Sequence, residues 1–124
     1  MVVAAVIERD DHFLLTLRPE GTHLAGHWEF PGGKCFAHES HVEALRRELH
    51  EELDILGLVG DRVYHVTHHY SDRILSLHFY RCEFEGHPKP MMGQEMRWVP
   101  RARLRELPVP DADAELIAQL TAEA

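Results

Sequence analysis

The chain has 124 residues, 44% of them hydrophobic, and a formal net charge of −8 at pH 7. That is the size of one domain with a real core, and the acidic balance argues against a nucleic-acid polymer or an anionic membrane as partner. The 2 cysteines, Cys35 and Cys82, fit neither a metal-ligand spacing nor a disulfide framework, so a cytoplasmic, reducing setting is expected. Met1 leads straight into an apolar run without a charged segment, so no signal peptide is expected, and no apolar stretch approaches the length of a membrane span. The 11 histidines are scattered, with no H-E-x-x-H pair.

In chain order, Val2 to Ile7 reads as a buried strand, Asp10-Asp11 as a turn, and Phe13 to Leu17 as the returning strand of a hairpin. Arg18 to Gly26 is a polar loop, and His27 to Phe30 a short strand. Pro31, Gly32 and Gly33 signal a turn. Ser40 with Glu43 makes a capping box, so a helix should start at Ser40. Val42, Leu45, Leu49 and Leu53 recur at helical spacing and should face the core. Leu56 to Gly60 reads as a connection, and Arg62 to Tyr70 as a strand ended by a Ser71-Asp72 turn.

Arg73 to Phe84 is the longest strand candidate. It is partly apolar on both faces, so it should be covered on both sides. Glu85 to Gly93 is a loop, Glu95 to Val99 a strand, and Arg101 to Leu107 a short helix. Pro108 and Pro110 enforce an extended link. A terminal helix follows, capped by Asp113 or a neighbour, with Leu116, Ile117 and Leu120 inward. This order fits an α/β (α+β) domain over residues 1–124, with helices on the faces of a mixed sheet.

The chemistry is concentrated after the glycine turn. Glu48, Glu51 and Glu52 lie at i, i+3 and i+4 and share one side of the helix. Two like charges about 4 Å apart repel by roughly 1 kcal/mol in water and about 4 kcal/mol near a protein surface, and a divalent cation turns that cost into binding. Oxygen ligands with room for water and phosphate suit Mg²⁺ or Mn²⁺. The plainer reading is a solvated acidic helix face.

The wider pattern runs from Gly33 through Glu39 to Arg47-Glu48-Leu49-His50-Glu51-Glu52-Leu53-Asp54-Ile55. It resembles the signature of the Nudix hydrolases, which cleave nucleoside diphosphates linked to another group. Asp54 stands where that signature has a glycine that closes the helix. The flanking Trp28-Glu29-Phe30-Pro31-Gly32-Gly33-Lys34 is similar to the MutT branch, which sanitises oxidised nucleoside triphosphates.

The resemblance implies an α/β/α sandwich with a mixed central sheet. It implies a divalent metal held through the Gly32 carbonyl and Glu52, with Glu48 binding metal or orienting the attacking water. Glu51 is counted with Glu48 and Glu52 as a metal ligand and catalytic carboxylate, with roles in the trio varying between members, and Arg47 with them as a catalytic-site residue. Arg47 is expected to lock loop to helix through Glu39 or Glu51. An extra acid enters from a later loop in such enzymes. The matching position here is Met92, which cannot serve, and Glu95 is the only nearby carboxylate, either a further ligand or simply solvent-facing.

By the same resemblance, the nucleotide site draws on Arg18, His23, Glu29, Phe30, Pro31, Gly32, Lys34, Asp72, Arg73 and Asp113. An ionised aspartate at 113 only accepts hydrogen bonds, which suits the amino group of cytosine or the N1-H and N2-H edge of a guanine-type base.

The expected activity is a Mg²⁺- or Mn²⁺-dependent nucleoside triphosphate diphosphatase giving a monophosphate and pyrophosphate. Oxidised dGTP is the first-choice substrate, in nucleotide-pool sanitation, and CTP the second. The alternatives are a hydrolase of other nucleoside-diphosphate-linked substrates and a nucleotide-binding module without turnover. The expected partner is a free nucleotide, and the protein a monomer or homodimer.

Overall fold

The computed structural model describes residues 1–22 and 24–123, so His23 lies outside the described residues. The strands are β1 (Val2–Val6), β2 (Glu8–Arg9), β3 (His12–Leu17), β4 (Trp28–Glu29), β5 (Gly32–Lys34), β6 (Leu56–His69), β7 (Ile74–Glu85) and β8 (Met96–Pro100). The helices are α1 (His41–Leu53) and α2 (Ala114–Ala122), with 3-10 turns at Arg101–Glu106 and Asp111–Asp113 before α2.

A mixed sheet in the order β5-β1-β7-β6 forms the centre, and β1 and β7 are its parallel pair. A second, antiparallel sheet joins β2, β3 and β4, with β8 also paired to β3. The two apolar faces of β1 explain the layering. Val3, Ala5 and Ile7 pack with Leu14, Leu45, Leu49 and Leu53 beneath α1. Ala4 and Val6 pack on the other side with Phe13, Leu15, Phe79, Leu116, Ile117 and Leu120 beneath α2. Period-2 alternation in a strand covered on both faces therefore puts one helix on each side.

Helix α1 starts as its sequence dictates. The Ser40 side chain accepts from Glu43 N–H, and the Glu43 carboxylate accepts from Ser40 N–H at 2.8 Å. It stops at Asp54, which is left-handed at φ 56° and ψ 41°, with Ile55 N–H reaching back to the Leu49 carbonyl. The buried face is Ala44, Leu45, Leu49 and Leu53, whereas Val42 is exposed. Val42 has the right angular position, but it lies on a first turn that the core does not cover.

Other expectations need correction. The hairpin is made by Glu8–Arg9 with β3, while the apolar run before it joins the central sheet. Its turn is Asp10-Asp11, at φ 52° and 63°, a geometry that matches strand twist. Leu56 to Gly60 is not a connection but the opening of β6, which pairs with β7 from Leu56↔Glu85 onward. Irregularities between Val59 and Tyr64 let one long strand continue where the glycine-containing stretch suggested a break. Asp113 makes no side-chain cap on α2. The helix grows out of the 3-10 turn, so Asp113 is already helical (φ −90°, ψ −6°) and cannot fold back as an extended N-cap residue does.

Candidate functional site

A cleft of about 280 Å³ opens where β1, β5, the end of α1 and the turn before α2 meet. Gly32 brings the glycine turn against β1, with Ala5 N–H donating to the Pro31 carbonyl at 2.8 Å. A Cβ on Gly32 would overlap the Val3 carbonyl, so only glycine permits this approach. Gly33 is bare for a different reason: a Cβ there would sit 2.5 Å from the Glu48 carboxyl carbon.

Arg47 ties this end together. Its Nε donates to Glu39 at 2.6 Å, Nη1 donates to Glu48 at 2.9 Å and to Glu51 at 3.4 Å, and Nη2 donates to the Lys34 carbonyl at 2.9 Å. Glu39 is held well below the usual carboxylate range, to about 2, chiefly by that Arg47 bond. The arginine thus joins β5, the following loop and α1, and the expected lock is present.

The carboxylates differ sharply in environment. Glu51 is half-exposed beside Arg47. Glu48 is mostly covered, and burial raises its carboxyl against the pull of Arg47. Glu52 reaches the cleft and accepts from the Gly32 N–H. Burial first, then the charges of Glu48 and Glu29, push it up to about 8. Among the described residues no lysine or arginine pairs with Glu52.

Glu48, Glu52 and the Gly32 carbonyl offer hard oxygen donors beside an uncompensated carboxylate. That donor set fits a Mg²⁺-type ion, which keeps several water or phosphate ligands of its own. Among the described residues no three His, Cys, Asp or Glu side chains come together as a metal-holding group, so the fit rests on Glu48, Glu52 and the Gly32 carbonyl.

The far end of the cleft is apolar and guarded by a second acidic pair. Phe30 packs edge-on to Phe79 with ring centroids 5.9 Å apart, and Leu24, Leu75 and Leu77 complete the wall. Arg18 Nη1 donates to both oxygens of Glu29 at 3.2 Å. Glu29 is nonetheless raised, because burial outweighs that pairing. Asp113 is only 3% exposed and lines the same wall.

The cleft therefore collects Arg18, Glu29, Phe30, Gly32, Lys34, Glu52, Arg73 and Asp113 from the sequence expectation. Asp72 lies outside the lining, paired with Arg73 at 3.3 Å, and Pro31 contributes through its carbonyl to β1. Glu95 is not brought in. Its side chain is 64% exposed and faces Arg97, at the end of the loop just before β8. Tyr70, Leu75 and Leu77 were not singled out from sequence. Leu75, Leu77 and Phe79 share one face of β7, so the alternation of that strand carried the signal.

The chain and its fold have clear likenesses among known proteins. The family model described as NUDIX domain matches residues 2–119. A CTP pyrophosphohydrolase of Escherichia coli is 40% identical over 117 residues, covering 94% of this chain and 87% of that protein. An 8-oxo-dGTP diphosphatase of Haemophilus influenzae is 40% identical over 124 residues, covering 98% and 91%. Among solved structures, the E. coli ORF135 protein superposes with a TM-score of 0.85 at 39% identity, over 98% of this chain and 87% of that one. A MutT NUDIX hydrolase from Burkholderia pseudomallei gives 0.86 at 27% identity, over 95% of each chain.

Proposed function

The chain belongs to the NUDIX domain family and is a Nudix hydrolase, and from that premise we propose that it is a divalent-metal-dependent nucleoside triphosphate diphosphatase. The products are a monophosphate and pyrophosphate. Oxidised dGTP is the first-choice substrate and CTP the second. The observation that carries this reading is the polarity of a single cleft: Glu52, Gly32 and Lys34 lie toward the glycine turn, and Phe30 with buried Asp113 lies toward α2.

Phosphates belong at the first end. Lys34 supplies positive charge there, while Arg18 is engaged by Glu29 and Arg73 by Asp72. Glu52 and the Gly32 carbonyl would hold the ion, with Glu48 beside them. When bound, such an ion neutralises phosphate oxygens and acidifies water. Glu48 Oε1 is engaged by Arg47. Its Oε2 is therefore left to orient the attacking water, and its raised proton affinity suits a general base.

The base belongs at the second end, against Phe30. There Asp113 accepts from a base-edge donor when ionised and can also donate when protonated. The two relatives' names, CTP pyrophosphohydrolase and 8-oxo-dGTP diphosphatase, support the same substrate class.

The test is product analysis with Mg²⁺ on oxidised dGTP, dGTP, CTP, dATP and a nucleotide sugar. Pyrophosphate from one or more triphosphates is expected. Turnover confined to the nucleotide sugar, or none at all, would overturn the proposal.

A further inference from the structure

The final turn of a helix leaves carbonyls without partners inside the helix. In α1 the 86–95 segment supplies them. Lys89 N–H donates to the Leu53 carbonyl and Met91 N–H to the Glu52 carbonyl, both at 2.9 Å. Gln94 Nε2 donates to that same Glu52 carbonyl at 3.1 Å. The Gln94 amide is held at both ends, because its Oε1 accepts from Met92 N–H at 2.9 Å. The flanking side chains do not share this role: Met92 is 71% exposed, and Glu95 faces Arg97. Gln94 is half-buried between them.

Glu52 is the α1 residue whose side chain lines the cleft. A side chain is aimed by its own backbone, and helix ends open locally more readily than helix centres. The Glu52 carbonyl carries two donors from the loop, so residue 52 is clamped on its backbone side while Gly32 N–H meets its carboxylate. We propose that Gln94 is a positioning residue for Glu52: its side-chain amide clamps the backbone of the last α1 turn and so holds the Glu52 carboxylate where it binds the divalent ion. This rests on the metal role of Glu52 proposed above. In this role Gln94 does not touch substrate. It acts through residue 52, where a displacement of about 1 Å is enough to cost roughly a hundredfold in rate.

Two variants separate the possibilities. Gln94→Met keeps the length and loses both hydrogen bonds. Gln94→Glu keeps the acceptor for Met92 N–H but turns a carboxylate oxygen toward the Glu52 carbonyl. The primary readout is Mn²⁺ affinity of the nucleotide-free protein by calorimetric titration, with kcat, nucleotide KM and melting temperature alongside.

Both variants are expected to weaken Mn²⁺ binding by about tenfold, equivalent to about 1.4 kcal/mol. They should lower kcat at saturating Mg²⁺ and leave nucleotide KM within about twofold, as expected when positioning for the reaction is lost. If Gln94→Met does not fold, Gln94→Glu carries the comparison. Wild-type Mn²⁺ affinity and kcat in a folded variant, with only a lower melting temperature, would show a structural clasp and overturn the proposal. Failure of the wild-type protein to bind Mn²⁺ would instead overturn the metal reading on which it rests.

Discussion

Glu29 and Asp113 share one wall of the cleft, and the Glu29 charge makes Asp113 harder to ionise. Arg18 partly compensates Glu29. Among the described residues nothing relieves Asp113 in this way, so burial first and the Glu29 charge second push it up to about 7, from an ordinary 3.8. Between about pH 4 and pH 7 the folded state therefore binds a proton that the unfolded chain releases. Stability falls as pH rises through that window and levels off above it. Asp113→Asn removes this contribution, so the loss of melting temperature from pH 5 to pH 8 should be smaller than in wild type. An unchanged slope would show that Asp113 titrates normally.

The same substitution tests base recognition. It keeps the shape but replaces one acceptor with a donor, leaving a base-edge donor facing a donor. At pH 8, kcat/KM for the preferred nucleotide should fall by roughly 10- to 100-fold, or about 1.4 to 2.7 kcal/mol, with poor substrates nearly unaffected. The comparison uses oxidised dGTP, dGTP, CTP and dATP. An unchanged ranking with unchanged efficiencies sinks the recognition role.

Glu52→Gln should separate stability from turnover. In the metal-free protein the Glu52 carboxyl is raised to about 8 by burial and by the charges of Glu48 and Glu29. It disfavours the fold when ionised, so the glutamine variant should melt higher than wild type at pH 9 without Mg²⁺. Its kcat, like that of Glu48→Gln, should drop by at least about a hundredfold. Near wild-type turnover at saturating Mg²⁺ would remove that residue from the mechanism.

Gly33→Ala should act through Glu48. The added methyl group would overlap a carboxylate at the flexible end of a side chain, not backbone. The fold should tolerate it while Glu48 moves, so kcat should fall with little change in melting temperature. The opposite pattern, lost stability with retained kcat, would show that the strand yields instead.

Asp54 occupies a left-handed stop that glycine adopts without strain. Asp54→Gly should stabilise the fold by roughly 0.5 to 1 kcal/mol and leave catalysis nearly unchanged. Denaturant melting decides it, and a loss of stability would reveal a useful bond at the Asp54 side chain.

What sequence reasoning reached was governed by range. The Ser40–Glu43 capping box, the α1 helix that carries Glu48, Glu51 and Glu52, and the inward Leu116, Ile117 and Leu120 rest on neighbours within a turn or two, and each of these elements forms as read. Val42 shows the limit of periodicity, which gives direction but not how far the partner surface extends. The Leu56 start of β6 depended on pairing with Glu85, which local glycine chemistry does not reveal. Nearness in sequence makes Glu95 the candidate extra acid, yet the loop before β8 leaves it exposed and turns Gln94 toward the end of α1, which only tertiary contact decides. Asp113 came to attention through its likeness to a family position, but its burial beside Glu29 follows from a tertiary meeting that no segment encodes alone.

The placement of β1 also sets when the site can exist. Its Ala4 is matched with Gly32 on one side and with Phe79 on the other, and Val2 to Ala4 line the cleft. Pairing with β5 fills one edge of β1, but the parallel pairing on its other edge must wait for the whole crossover to β7. The cleft floor is therefore a long-range assembly, and no nucleotide finds a place to dock until segments far apart in the chain have met.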